Sequence, residues 1–342
     1  MKAIQLNKYN KNLSVEVNEI PIPKVNDNEV LIQVAYAAIN PLENLTISGK
    51  VRLIQDYQKP FTLGNELTGK ISKIGSGIKN FSIGDAVYTR LPVEKIGAFA
   101  DYVTVDAKYI SKLSNNLNFK TGAAAALTGL TAYQALTEEL NIEPGKTLFI
   151  PGGSGSFGQM AVPIAKSLGL KVIVSGSPRL KEQFIAKGVD QYLDYKQENY
   201  WDVLTDVDYI IDTLGPHEFD KELSVIKHGG TLVSLINSPN KHFAEKNGYS
   251  KLKTILFSLA GKKFDKKAHS KGINYRFVYV RADGNQLSTL TQMIERENII
   301  PDIDSKIFTV NEVNEALDYV FNHHTNGKVL LQFDDMEDAT SE

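Results

Sequence analysis

Residues Gly153-Ser154-Gly155-Ser156-Phe157-Gly158 repeat the spacing G-x-G-x-x-G without a mismatch. They follow the apolar run TLFI at 147–150 and open the stretch FGQMAVPIAKSLG, whose apolar residues recur at helical spacing. A strand, a glycine turn and a helix in that order have a physical use. The first glycine turns the chain, the second lets the backbone approach a pyrophosphate, and the third lets helix lie against strand. The N–H groups and positive dipole end of the helix then face the phosphates. Gly153, Gly155, Ser156, Phe157 and Gly158 are therefore candidate contacts to a dinucleotide; a merely structural turn is the alternative. Pro163, inside the same helix, is expected to kink it.

The next apolar run, KVIVSGSPRLK, ends without the Asp or Glu that would grip a ribose 2′-hydroxyl. Gly176 and Ser177 leave room and a donor there, and Arg179 and Lys181 offer positive charge. Tyr195, after the following run, can add a hydrogen bond. A 2′-phosphate suits these residues, so NADP(H) is the expected cofactor. Ordinary surface charge is the alternative for Arg179 and Lys181.

A third stretch, LGNELTG at 63–69, sets Asn65 beside Glu66 between two glycines. The chain has no cysteine, which removes disulfides, thiolate nucleophiles and every thiolate zinc site. An asparagine amide is a poor zinc ligand beside imidazole. His217, His228, His323 and His324 read as surface residues, so no metal is expected.

These groups need elements to position them. Up to about 110 the chain shows short alternating or β-branched runs, among them EVLIQVAYAAI and FADYVTV, broken by Gly, Pro, Asn and Asp. That is the pattern of an antiparallel, partly barrel-like β domain. Residues 121–140 read as two short helices broken near Thr128-Gly129. From 146 onward strands alternate with helices, which implies βαβ units and a doubly wound parallel sheet. The Lys-rich segment 240–272 lacks a pattern apart from TILFSLAG and is expected to be a solvated surface helix or flap. The acidic tail DDMEDATSE is expected to fray.

With 342 residues, a formal charge of −2 and 23% charged residues, the chain has the make-up of a globular protein of two domains. The near-neutral charge argues against nucleic acid as a partner. No apolar run has the length of a membrane span, and the N-terminus lacks the apolar core of a signal peptide. No membrane partner and a cytoplasmic location are the expectations.

Several stretches in order, AAINPLENLTISG, LGNELTGKISKIGSGIKNFSIGDAVY, GAFADYVTVDA, AAALTGLTAYQAL, GGSGSFG, GVDQYLDY, IIDTLG and GKVLL, carry a family likeness. The chain resembles the medium-chain dehydrogenase/reductase superfamily, in particular its zinc-independent quinone oxidoreductase (zeta-crystallin-like) branch. The resemblance implies an α/β fold: a Rossmann doubly wound parallel sheet plus a GroES-like β-rich catalytic domain. It places the GroES-like substrate domain at 1–124, completed by 275–342, and the Rossmann domain at 125–274.

It further implies that Asn40 and Thr131 lie on opposite rims of a cleft near the nicotinamide. Asp212, Thr213 and Leu214 would line the adenine and ribose path; Leu235, Asn237, Phe277, Val278 and Tyr279 would flank the nicotinamide; Lys328 would stand near the cofactor. Where the zinc-dependent relatives keep a histidine, this chain has Asn65. Where the branch often carries cleft tyrosines, it has Leu45 and Val51.

Without a Lewis acid or a tuned base, alcohol oxidation is unfavourable, whereas a quinone or a conjugated carbonyl needs only a hydride and hydrogen bonds to its oxygen. NADPH-dependent reduction of a quinone or enone is therefore expected, with Asn40 as the hydrogen-bond donor; a buried Asn40 satisfied by backbone is the alternative. The competing functions are a zinc-less NADP-dependent alcohol or carbonyl dehydrogenase and a non-catalytic NADPH-binding redox sensor. Analogy with the branch gives a homodimer, paired through GGTLVSLIN or NYRFVYV at a sheet edge.

Overall fold

The computed structural model describes residues 1–334, so all of the acidic tail but Asp334 lies outside the described residues. The chain divides into two compact units, residues 1–130 with 281 onward, and residues 131–280.

The first unit opens with strands β1 (Lys2–Leu6), β2 (Glu16–Glu19) and β3 (Glu29–Ala38), helix α1 (Pro41–Ile47), then β4 (Phe61–Thr62), β5 (Glu66–Ile74), β6 (Ala86–Arg90), β7 (Tyr102–Asp106) and β8 (Ile110–Lys112). Helix α2 (Phe119–Gln134) follows, and the passage between units falls inside it, after Leu130. The break expected near Thr128-Gly129 is absent. Gly129 sits in a helix whose residues 122–132 are all buried, and Thr128 Oγ1 donates back to Ala124 O at 2.9 Å. Burial on every side outweighs the roughly 1 kcal/mol that a mid-helix glycine costs.

The second unit alternates strand and helix: β9 (Thr147–Ile150), α3 (Ser156–Ser167), β10 (Lys171–Gly176), α4 (Lys181–Ala186), β11 (Gln191–Asp194), α5 (Tyr200–Val203), β12 (Val207–Asp212), α6 (Phe219–Val225) and β13 (Ile226–Ser234). The Lys-rich segment then forms α7 (Lys241–Lys246) and α8 (Lys251–Ser270) before β14 (Asn274–Phe277). The surface helix expected there is present. All sheet pairings of this unit are parallel, in the order β11-β10-β9-β12-β13-β14. This is the Rossmann order 3-2-1-4-5-6, which reverses direction between β9 and β12. Phe149, Ile210, Leu232 and Tyr275 on the strands pack with Phe219 and Phe264 from α6 and α8. Of the two segments expected at an edge, β13 is interior, between β12 and β14, and β14 alone is terminal.

The first unit resumes with α9 (Gly284–Glu297), β15 (Ile303–Thr309), α10 (Val313–Asn322) and β16 (Lys328–Gln332). β16 pairs antiparallel with the end of β3, Leu330 opposite Ala38, so the last strand completes the first unit's sheet in the order β15-β16-β3-β5-β6-β8. Val329 and Leu331 enter the same core as Ile32, Val34 and Leu67.

Candidate functional site

In the second unit the predicted residues gather at the carboxyl ends of the parallel strands, where open α/β sheets bind ligands. Gly153–Gly158 follow β9; Gly176, Ser177, Arg179 and Lys181 follow or end β10; Tyr195 follows β11. Asp212–Leu214 close β12, Leu235 and Asn237 follow β13, and Phe277–Tyr279 end β14. Five crossovers bring one edge together from residues spread over more than a hundred positions.

The glycines have distinct reasons. A Cβ on Gly158 would stand 1.7 Å from Gly153 O, so α3 reaches the turn only through a glycine. A Cβ on Gly176 would meet Ser154 Oγ and Tyr192 Oη, each at 2.4 Å. Gly155, the N-cap of α3, has nothing within 4 Å of that position: the space over the helix N-terminus is open, as a pyrophosphate requires. The helix is continuous from Ser156 through Pro163 to Ser167.

Hydrogen bonds hold the turn in shape. Ser175 Oγ accepts from Gly152 N at 3.1 Å, and Thr213 Oγ1 donates to Pro151 O at 2.7 Å. Asp212, buried, is the hub: Oδ1 accepts from Leu214 N and Gly215 N at 2.9 and 2.8 Å, and Oδ2 from Ser234 Oγ and Asn237 Nδ2 at 2.6 and 2.7 Å. Asp212 thus shapes the loops after β12 and β13. Its carboxylate is met by four protein donors, a shaping part that the sequence reading did not assign to it.

The 2′-phosphate candidates stand ready in solvent. Arg179, Lys181 and Tyr195 are exposed, and Ser177 is half-buried with its N–H donating to Ser154 Oγ at 3.3 Å. Phe277 and Val278 are buried, and Thr131 is buried within α2.

In the first unit the structure joins Asn40 and Lys328 with Asn65, Glu66 and a residue the sequence reading missed, Glu43. Asn40 caps α1, and Glu43, at the third helical position, accepts from Asn40 N through Oε2 at 2.6 Å. The N-x-x-E spacing of a capping box was the available signal. Glu43 Oε1 accepts from Asn65 Nδ2 at 2.7 Å. Lys328 donates to Asn40 Oδ1 and, at 2.7 Å, to Glu66 Oε1; Glu66 Oε2 accepts from Leu127 N at 2.6 Å. Burial pushes the Glu43 carboxyl up to about 7, against the pull of its bonds to Asn65 and Asn40.

This cluster bears on two expectations. Asn40 donates its amide protons to Ala38 O at 3.2 Å and Glu66 Oε1 at 2.9 Å, so neither remains for a substrate oxygen. The expected donor role meets that obstacle: Lys328 only donates, so it must face Oδ1 and turns the NH₂ toward Glu66. For zinc, the donor set does not fit. No cysteine exists, Asn65 offers an amide already donating to Glu43, and the acceptors around Glu66 enclose an ammonium.

Comparison with known proteins agrees with this architecture. A family model described as "Alcohol dehydrogenase GroES-like domain" matches residues 26–115, and one described as "Zinc-binding dehydrogenase" matches residues 187–331, a span that does not include Asn65. The chain is 27% identical over 350 residues to the NAD(P)H oxidoreductase RTN4IP1, mitochondrial, of Dictyostelium discoideum, covering 97% of this chain and 99% of that one. It is 27% identical over 328 residues to the NADPH-dependent alkenal/one oxidoreductase, chloroplastic, of Arabidopsis thaliana, covering 93% and 75%. With the quinone oxidoreductase of Homo sapiens identity is 30% over 221 residues, covering 63% and 65%. The quinone oxidoreductase structure from Coxiella burnetii has the same fold, with a TM-score of 0.80, 24% identity and coverage of 97% and 99%. A Rossmann sheet with a GroES-like partner defines the class as a medium-chain dehydrogenase/reductase. The chain belongs to that superfamily.

Proposed function

We propose that the protein is an NADPH-dependent reductase of quinones or α,β-unsaturated carbonyls that works without zinc. The observation that carries the proposal is the carboxyl edge of the parallel sheet: an open, glycine-bounded helix N-terminus beside a strand end that has Gly176, Ser177 and exposed Arg179 and Lys181 in place of an acid. The names of the relatives support it, since they specify NADPH, alkenals or enones, and quinones.

In this reading the N–H groups at Gly155–Gly158 hold the pyrophosphate, and Ser177, Arg179, Lys181 and Tyr195 hold the 2′-phosphate. Asp212 acts by fixing the shape of loops 213–215 and 235–237. Bound NADPH supplies the hydride. Asn40 is assigned a positioning part: it ties the start of α1 to Lys328 and Glu66. Thr131, Leu235, Phe277, Val278, Tyr279 and Lys328 keep the cofactor-side places that the resemblance implies.

A homodimer paired through β14, and a cytoplasmic location, complete the proposal. Among the described residues no helix is long and apolar enough to cross a membrane, while the relatives' names include mitochondrial and chloroplastic forms.

The test is a turnover panel monitored by NADPH absorbance: quinones and enones with NADPH, the same with NADH, and alcohols with NADP+. Turnover of quinone or enone with NADPH and not with alcohol is expected. Alcohol oxidation alone would favour the dehydrogenase, and tight NADPH binding without any turnover would favour the redox sensor.

A further inference from the structure

Helix α8 has two faces of different character. Phe257, Gly261, Phe264 and Ala268 are buried. Phe264 stacks on Tyr275 at 5.6 Å between ring centroids, and Phe257 meets Phe243 edge-on at 5.5 Å. A Cβ on Gly261 would lie 2.5 Å from Asn240 Cβ, so the helix is seated as closely as backbone allows. That anchoring fixes which side chains face outward.

The outer face starts apolar and ends cationic. Leu252, Ile255, Leu256 and Leu259 recur at i, i+3, i+4 and i+7 and are 70, 58, 42 and 63% exposed. Lys262, Lys263 and Lys266 continue the same face for another turn, and Lys251 stands at its start. Other lysines of the segment are paired: Lys246 with Glu138 and Glu139, and Lys267 with Asp220. Lys251, Lys262, Lys263 and Lys266 have no salt bridge among the described residues. Between 241 and 271 there are nine lysines against two carboxylates, in a chain whose formal charge is −2. The positive charge is concentrated where the aliphatic side chains are bare.

We propose that this face of α8 is a peripheral docking surface for an anionic phospholipid bilayer. Charge complementarity selects the occupant: lysines beside bare aliphatics match acidic headgroups over acyl chains, and a lysine stem can lie along the interface while its ammonium reaches the headgroups. A protein partner fits less well, because protein interfaces favour Tyr, Trp and Arg and disfavour Lys, and this face has none of the first three. Nucleic acid fits less well for the same lack of Arg and aromatic side chains.

The sequence argued against a membrane partner from apolar length, which excludes spanning only. A helix resting on the interface needs a face and not a length. The inference stands independently of the reductase reading.

The experiment is co-sedimentation of the full chain with phosphatidylcholine vesicles, with and without phosphatidylserine, at low and high salt. Binding to the anionic vesicles alone, released by salt, is expected. Triple replacement K262Q/K263Q/K266Q is expected to weaken it roughly a hundredfold, from three charges near the surface. The variant L252S/I255S/L256S/L259S is expected to weaken it at least roughly tenfold. All these positions point to solvent, so melting temperatures should hold, and a circular dichroism melt checks that they do. Equal binding to neutral vesicles, or binding untouched by both variants, overturns the proposal. So does binding of poly-glutamate in the absence of any vesicle sedimentation, which would indicate an acidic protein. A shift from dimer to monomer in the aliphatic variant, with no vesicle binding by the parent, would assign the face to a second copy and also overturn it.

Discussion

Lys328 Nζ lies 2.7 Å from Glu66 Oε1, both side chains buried, although 262 residues separate them. The last strand of the protein thus delivers a cation to the Asn65-Glu66 stretch. Removing one member of such a pair leaves the other charge buried and uncompensated. K328M should cost roughly 3–5 kcal/mol of stability. The double variant K328M/E66Q should recover part of that loss, as read from urea midpoints. Strict additivity of the two single effects would show that the pair is not coupled.

Glu43 makes stability depend on pH. The folded protein holds its proton up to about 7, whereas an open chain releases it near 4.5. Between those values the folded state binds more protons than the unfolded one, so stability falls as pH rises, and the loss is complete above the upper value. The size is about 3 kcal/mol. Glu43→Gln cannot titrate, and Asn65 can rotate its amide to meet the new NH₂ group. The stability difference between parent and E43Q, measured by urea unfolding at pH 5 and pH 8, should therefore change in favour of E43Q at the higher pH. A difference that is the same at both values refutes the assignment.

Two glycines of one turn separate binding from folding. Gly155→Ala enters open space at a φ of −82°, so the melting temperature should be unchanged while the NADPH dissociation constant rises by roughly tenfold as the methyl meets the pyrophosphate. Gly158→Ala forces a methyl against Gly153 O and should lose roughly 1–3 kcal/mol of stability as well as affinity. Calorimetric titration with NADPH, beside thermal melts, checks both. Undiminished affinity in G155A would remove the pyrophosphate from this turn.

Cofactor choice should rest on exposed charge. R179A/K181A should weaken NADPH binding on the order of tenfold to a hundredfold, the worth of charge-assisted hydrogen bonds, and leave NADH binding unchanged. A parallel loss for both cofactors would mean that the two residues act on something other than the 2′-phosphate.

The residues differ in how far the sequence alone could place them. The dinucleotide turn was legible because its parts are adjacent: three glycines at fixed spacing, between a strand pattern and a helix pattern, carry their geometry with them. The βαβ order and the absence of thiolate ligands were legible for the same reason of locality. The continuous α2 was not, since its glycine reads as a break until burial on all sides is known. Asn40 was found, but its function as a bridge was not, because Ala38 O, Glu66 and Lys328 come to it from three different strands. Asp212 was placed at its strand end, but the four protein donors that converge on its carboxylate were not legible, because they come from the loop after one strand and from the end of another and the loop after it.

Local spacing in the chain was enough to show a glycine turn between strand and helix, the lack of an acid after the second strand of the parallel sheet, the absence of cysteine, and the alternation of strands and helices. Each is a statement about neighbours in the chain, where spacing dictates geometry. Long-range packing was needed to join Glu43, Asn65, Asn40, Glu66 and Lys328 in one buried network, and to turn Leu252, Ile255, Leu256 and Leu259 outward while Phe257 and Phe264 face in. Those outcomes depend on which surfaces meet across long stretches of chain, and burial, which sets both the charge on Glu43 and the exposed face of α8, exists only after they have met.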